Sequence, residues 1–288
     1  MTSTLLSIGH GYSAAALARR LSGWRIIGTT RRAEKAERLR NAGLEALMWP
    51  GEDLGPAIAA ASHILVSVAP DDDGDPVLRT LAAGIAAAAP HLQWVGYLST
   101  TGVYGDHAGG WVDESTALTP STRRGKARVL AEGQWQALAA RAGLPLHIFR
   151  LAGIYGPGRG PFEKVKNGTA RRIIRENQFF SRIHVDDIAA ALQASITRPD
   201  PGAIYNVADD DPAPPEDVLT EAARLLGLPP PPEVAFDDAE MTPLARSFYA
   251  ESKRVRNDRL KRDLGVRLAY PDYHAGLRAL LADEVDEG

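Results

Sequence analysis

The chain has no cysteine among its 288 residues, which removes disulfides, thiolate metal sites and a cysteine nucleophile from consideration. It also lacks any apolar run approaching the roughly 18 to 20 residues that a membrane-crossing helix needs. No basic stretch followed by a hydrophobic one stands at the amino terminus, and the expected location is cytoplasmic. Charge of one sign is concentrated nowhere: 33 basic and 36 acidic residues are interleaved, for a net charge of −3. Such a surface has no long-range field to attract a polyanion, so no nucleic-acid partner is expected. The seven histidines are scattered without metal-ligand spacing. Asp71-Asp72-Asp73 has no fourth oxygen ligand at a suggestive spacing and reads as a solvated loop, so no metal site is expected.

What the chain does have is alternation. Short apolar runs predict strands at Leu5 to Ile8, Trp24 to Thr29, Leu44 to Trp49, Ile64 to Val68, Trp94 to Ser99 and Leu146 to Leu151. Amphipathic, alanine-rich segments between them predict helices near Ser13 to Leu21, Ala33 to Ala42, Gly55 to Ala61, Pro76 to Ala89 and Ser121 to Ala142. The pattern is α/β: a Rossmann-like, doubly wound parallel sheet over residues 1–156. Gly156-Pro157-Gly158-Arg159-Gly160-Pro161 reads as a loop leaving that sheet. Residues 157–288 read as a smaller, discontinuous α+β substrate lobe, from which about 181–207 return to the sheet through a helix at Asp187 to Thr197 and a strand at Ala203 to Val207. Pro229 to Pro232 predicts a stiff spacer, followed by helices near Ser252 to Leu264 and Tyr270 to Ala282.

Gly9-His10-Gly11-Tyr12-Ser13-Ala14 follows the first strand and opens the first helix. In that setting Gly-x-Gly-x-x-Ala is a dinucleotide turn: Gly9 allows the bend, Gly11 admits a pyrophosphate to the backbone, and Ala14 lets helix and strand pack closely. The amides from Gly11 through Tyr12 and Ser13, at the positive helix end, then face the phosphates. About 20 residues on, where an NAD site places a carboxylate, the chain reads Thr29-Thr30-Arg31-Arg32. A guanidinium pairs with a 2′-phosphate that a carboxylate would repel, so NADP is the better match and NAD the weaker one. The alternative is that the two arginines merely begin a solvated helix. Val68-Ala69-Pro70, ending the fourth strand, would let the backbone pass along the cofactor.

Tyr97-Leu98-Ser99-Thr100-Thr101-Gly102-Val103-Tyr104-Gly105 closes the fifth strand. Together with the glycine turn, Phe149 to Gly158, Ile183-His184-Val185-Asp186-Asp187 and Tyr205-Asn206-Val207, it resembles the extended short-chain dehydrogenase/reductases, the NAD(P)-dependent epimerase/dehydratase family, in order over about residues 3 to 210. The resemblance implies that Ser99 lies beside the cofactor and that Thr100 binds the substrate oxygen. It puts Lys126 at the lysine that holds the nicotinamide ribose, and Thr122 where the family has its proton-exchanging tyrosine. A phenol ionises near pH 10 and can be tuned downward; an aliphatic hydroxyl cannot, so Thr122 is a poor general base. Thr101 and Gly102 stand where the family's dehydratases carry an acidic pair, and Gly153 where a substrate-contacting asparagine is usual.

Tyr104 is the first candidate for a displaced proton donor, with packing as its alternative role. The His184, Asp186 and Asp187 cluster reads as structural, Asp187 serving as an N-cap. Lys164, Lys166, Arg171, Arg172 and Arg175 fall where the substrate lobe begins and either hold a phosphate or are solvated. The expected function is an NADP-dependent oxidoreductase or epimerase on a small carbonyl- or hydroxyl-bearing substrate, a sugar nucleotide being one candidate. The alternative is a non-catalytic NADP-binding regulatory or redox-sensing protein. A homodimer through the helix Lys126 to Arg141 is compatible with either.

Overall fold

The first strand of the protein, β1 (Thr4–Ile8), is buried along its whole length, and its side chains divide between two cores. Leu5 faces one core and Leu6 and Ile8 the other, as a strand covered on both faces requires. The computed structural model describes residues 3–286. Around β1 stand β2 (Arg25–Thr30), β3 (Glu45–Met48), β4 (His63–Val66), β5 (Trp94–Thr100), β6 (Leu146–Leu151) and β7 (Ile204–Val207). They form one parallel sheet in the order β7-β6-β5-β4-β1-β2-β3.

Helices α1 (Tyr12–Arg20), α2 (Ala33–Asn41), α3 (Gly55–Ala60), α4 (Pro76–Ala88) and α5 (Arg123–Ala142) make the first crossovers, and α6 (Val185–Thr197) precedes β7. One core joins α1 and α6 to the sheet through Ala14, Leu17, Ile188 and Leu192. The opposite core uses Ile58, Val77, Ile85, Trp135 and Leu138 from α3, α4 and α5. The strand order reverses direction between β1 and β4, and their carboxyl ends open a crevice there.

Beyond β6 the chain builds a third, smaller core from Phe162, Val165, Ala222, Leu277 and Leu280, which joins a short helix at Phe162–Lys166 to α7 (Pro215–Leu225) and α8 (Tyr273–Asp286). Two-stranded parallel pairs stitch this region together: Gly153–Tyr155 with Arg182–His184, Arg172–Ile174 with Glu233–Ala235, and Trp111–Val112 with Arg254–Val255.

The helix expected over Ser252 to Leu264 is corrected by the last of these pairs. Arg254 N–H donates to the Gly110 carbonyl at 2.9 Å and the segment is extended, so the helix begins only at Asp258. The proposed cap at Asp187 is also corrected. His184 caps α6 by accepting from Asp186 N–H at 3.2 Å, while the buried Asp187 carboxylate accepts from the amides of Ala269 and Tyr270 at 2.8 and 3.0 Å. Asp187 thus ties α6 to the segment leading into α8.

Candidate functional site

The crevice at the carboxyl ends of the strands is a cleft of about 870 Å³, in the range typical of small-molecule sites. One wall is the turn after β1. Gly9 has φ +82°, and its amide donates to Thr29 Oγ1 at 2.8 Å while its carbonyl accepts from Ser67 Oγ. A Cβ at Gly9 would lie 2.9 Å from Val68 Cγ2, so any side chain in this left-handed turn would be strained. Val68 therefore acts as a buttress, and Ser67 rather than Ala69 or Pro70 lines the cleft. His10 is buried with its amide on the Thr29 carbonyl at 2.9 Å, and burial, aided by Lys35, lowers its pKa to about 4.

Gly11, Tyr12 and Ser13 line the cleft, with Ala14 buried behind them against the sheet. No side chain caps α1, so the first-turn amides keep their hydrogen-bonding capacity. A Cβ at Gly11 would meet nothing nearer than the Gly9 carbonyl at 3.7 Å, which leaves the space above it open. An open cradle at a helix amino terminus fits a dinucleotide pyrophosphate. Thr30 is buried at the end of β2, and its Oγ1 accepts from Arg32 N–H at 3.3 Å. Arg31 and Arg32 are exposed.

The opposite wall comes from β5, α5 and the chain after β6. Ser99 and Thr100 both line it, but differently. The Ser99 hydroxyl is turned inward and donates to Glu132. Thr100 Oγ1 accepts from Gly102 N–H at 3.2 Å, leaving its own proton for a ligand oxygen. Gly153 lies on the same wall, where a Cβ would come within 3.3 Å of the Ser181 carbonyl oxygen, so a longer side chain here would crowd that strand pair.

The expected pairing of Thr122 with Lys126 in the cleft is corrected by the phase of α5. Its buried positions Ala127, Ala131, Trp135 and Leu138 fix which face meets the protein. At 100° per residue, Lys126 falls on the opposite side, exposed and outside the cleft lining. Thr122 does reach the cleft, but its Oγ1 caps α5 by accepting from Gly125 N–H at 3.1 Å. The two residues spaced by four that line the cleft are Arg124 and Arg128. Arg128 Nη1 donates to Tyr97 Oη at 2.9 Å and to the Leu98 carbonyl at 2.8 Å. The sequence carried this signal: the apolar positions of α5 set its phase, whereas motif spacing alone set it two residues away.

Tyr104, the candidate proton donor, lies away from the cleft. Its ring is fully buried, and its hydroxyl donates to Asn206 Oδ1 at 2.6 Å and accepts from Arg150 Nη1 at 3.0 Å. Burial raises its pKa against the opposing pull of Arg150. Tyr12 and Tyr155 do line the cleft, and burial raises both phenols above the ordinary range. Tyr12 Oη donates to the Pro157 carbonyl at 2.9 Å, tying the start of α1 to the loop after Tyr155, and Arg159 lies 4.4 Å over its ring.

Phe179, Phe180, Phe248, Tyr249, Arg182 and Lys253 make one end of the cleft lining aromatic and cationic. Glu251 also lines it, with Oε2 on Lys253 Nζ at 2.9 Å and Oε1 accepting from Ser121 Oγ at 2.7 Å. Burial raises this carboxyl, but Lys253 and Ser121 outweigh it and hold the pKa below its usual value. The basic residues Lys164, Lys166, Arg171, Arg172 and Arg175 lie outside the cleft lining. Arg172, for example, is committed to the Pro231 carbonyl at 2.7 Å and Glu233 at 3.1 Å. Among the described residues no cluster of His, Asp or Glu could hold a metal ion, and no helix is long and apolar enough to cross a membrane. Asp71 and Asp72 instead pair with Arg79 and Arg123.

A family model described as the NAD dependent epimerase/dehydratase family matches residues 8–208. The solved structure of a functionally unknown conserved protein from Silicibacter pomeroyi DSS is 61% identical, covers 98% of this chain and 99% of its own, and superposes with a TM-score of 0.92. Protein YeeZ of Escherichia coli (strain K12) is 28% identical over 281 residues, spanning 92% of this chain and 95% of that protein. UDP-glucuronic acid 4-epimerase from Bacillus cereus, solved in complex with NAD, is 15% identical and shares the fold at a TM-score of 0.78, covering 99% of both chains.

Proposed function

The chain belongs to the NAD dependent epimerase/dehydratase family, and from that premise we propose an NADP-dependent oxidoreductase or epimerase whose substrate is a small carbonyl- or hydroxyl-bearing molecule. A sugar nucleotide is one candidate. The observation that carries this reading is the open cradle over Gly11, continuous along one cleft with the Thr100 hydroxyl. The bound nicotinamide would supply the hydride chemistry.

The rest falls to the chain. The amides of the α1 first turn, with Gly9 and Gly11, hold the pyrophosphate, and Arg31 and Arg32 meet the 2′-phosphate. Ser99, Ser13 and Tyr12 shape the cofactor channel, while Thr100 donates a hydrogen bond to the substrate oxygen. Arg128 takes the ribose-holding role that the family resemblance implied for Lys126, because it is Arg128 that lines the cleft. The Thr122 hydroxyl, which accepts from Gly125 N–H, is an aliphatic alcohol that ionises too weakly to serve as a base, and the cleft phenols have raised pKa values. A proton required by the reaction therefore exchanges with water.

The test is a screen with NADPH deuterated at the transferable position, offered carbonyl compounds and sugar nucleotides, with products read by mass spectrometry. Deuterium in a product, lost in Thr100→Val, supports the enzyme. NADPH binding without transfer to any carbonyl compound, together with no epimerisation of any sugar nucleotide by the protein loaded with oxidised NADP, favours the second reading, a non-catalytic NADP-binding regulatory or redox-sensing protein. The absence of a phenol at positions 122 and 124 motivates that alternative. For a homodimer, the surface proposed is the outer face of α5, where Leu130 is exposed. Sedimentation of wild type beside Leu130→Glu checks it, and unchanged mass in both removes it.

A further inference from the structure

The aromatic end of the cleft also carries a guanidinium with no acidic partner among the described residues. Arg124 sits in the first turn of α5, on the face fixed by Ala127, Ala131 and Trp135, and lines the cleft beside Gly125 and Thr122. Among the described residues no carboxylate pairs with it. Its contact is the ring of Phe248, 5.5 Å from the guanidinium carbon, and that ring is itself 54% exposed. Arginine is charged at any working pH and presents a planar fork matched to two-oxygen anions.

The cleft cannot neutralise Arg124 internally. The carboxylate that lines it, Glu251, is already satisfied by Lys253 and Ser121. Arg128, one turn along the same helix, adds a second positive charge to the cleft lining. A neutral substrate would leave this end of the site with uncompensated positive charge and an uncovered aromatic ring.

We infer that Arg124 is a specificity-determining residue that pairs with an oxyanion on the substrate, a carboxylate or a phosphate, while an apolar part of the same molecule covers Phe248. This deepens the proposed function and rests on it: the cleft is the substrate site, and Arg124 selects small anionic substrates there. The pair is two-pronged, with guanidinium nitrogens donating to two oxygens of the anion.

The experiment uses the NADP-loaded protein and ligand-observed NMR titration with matched probes. Cinnamate is compared with cinnamamide for the carboxylate arm, and phenyl phosphate with phenol for the phosphate arm. In wild type at least one acid binds about tenfold more tightly than its neutral counterpart, a magnitude in keeping with loss of a charged hydrogen bond. Arg124→Gln brings that ratio to about one, and Arg124→Lys keeps part of it by retaining charge without the fork.

NADP affinity, measured separately, is unchanged in Arg124→Gln and weakened in Arg128→Gln. Wild type that fails to bind NADP overturns the underlying cofactor reading. With NADP bound, a ratio near one in wild type, no binding of either acid, or a ratio that survives in Arg124→Gln overturns the inference about Arg124.

Discussion

Arg150 grips Glu132 through two nitrogens, Nε at 3.2 Å and Nη2 at 2.8 Å, with the two side chains only 3% and 2% exposed. This pair fastens α5 to β6, and Ser99 joins it from β5. It lies directly beneath the cleft wall and holds the helix that presents Arg124 and Arg128. Removing one partner leaves a buried charge without compensation, which typically costs about 3 to 5 kcal/mol. Glu132→Ala is expected to lose that much in urea denaturation, and a loss under about 1 kcal/mol would contradict the role assigned. Glu132→Leu combined with Arg150→Met removes both charges and should recover much of the stability.

The two turn glycines separate stability from binding. Gly9→Ala must adopt φ +82° and push Val68 from 2.9 Å, so it should cost about 1 to 2 kcal/mol from the backbone alone. Gly11 has φ −101°, which any residue tolerates, and the nearest atom to an added Cβ is 3.7 Å away. Gly11→Ala is therefore expected to change stability by less than about 0.5 kcal/mol, yet to fill the cradle and weaken NADPH binding. Thermal denaturation and NADPH fluorescence titration read the two effects. Unaltered NADPH affinity in Gly11→Ala would mean that the cofactor does not approach there.

These contrasts follow what the sequence disclosed. Runs such as Leu5 to Ile8 and Leu146 to Leu151 were legible because a doubly covered strand must be apolar on both faces. The glycine turn was legible because its context, strand before and helix after, is local. Arg124 and Arg128 were not read from motif spacing, since a motif counted from Lys126 ignores where the helix is buried. The role of Asp187 as a tether was hidden because its partners, Ala269 and Tyr270, are more than 80 residues away. The extended segment at Arg254–Val255 was hidden for the same reason: its partner, Trp111–Val112, is remote and supplies the pairing that overrides local helix propensity.

Asp209 is 1% exposed, neither side-chain oxygen has a hydrogen-bond partner, and burial raises its pKa to about 8 although Arg182 opposes the shift. The folded protein therefore keeps a proton that the unfolded chain releases near pH 4. Its contribution to stability is fully present below about pH 4 and is lost as pH rises through about 8. Asp209→Asn, which cannot ionise, should show a flatter decline in stability between pH 5 and 8 than wild type. Parallel pH profiles for the two proteins would rule this titration out.

Arg31 and Arg32 give a separate test of cofactor choice. Both are exposed just beyond β2, and among the described residues neither has a carboxylate partner. The Arg32 amide is fixed by Thr30 Oγ1, so the backbone at the start of α2 is set while the guanidinium groups stay free to meet a ligand. A hydrogen-bonded contact to a charged group is worth about 1.5 to 3 kcal/mol, or roughly tenfold or more in affinity. Replacing both arginines by alanine should weaken NADPH binding by about that factor and leave NADH binding nearly unchanged. Because the groups are exposed, the wild-type preference should also shrink as salt is raised, whereas the double variant should show no such trend. Calorimetric titration of both nucleotides at two salt concentrations measures all four affinities. An equal loss for NADPH and NADH would show that the arginines hold a part of the cofactor common to both, and the case for NADP would fall with it.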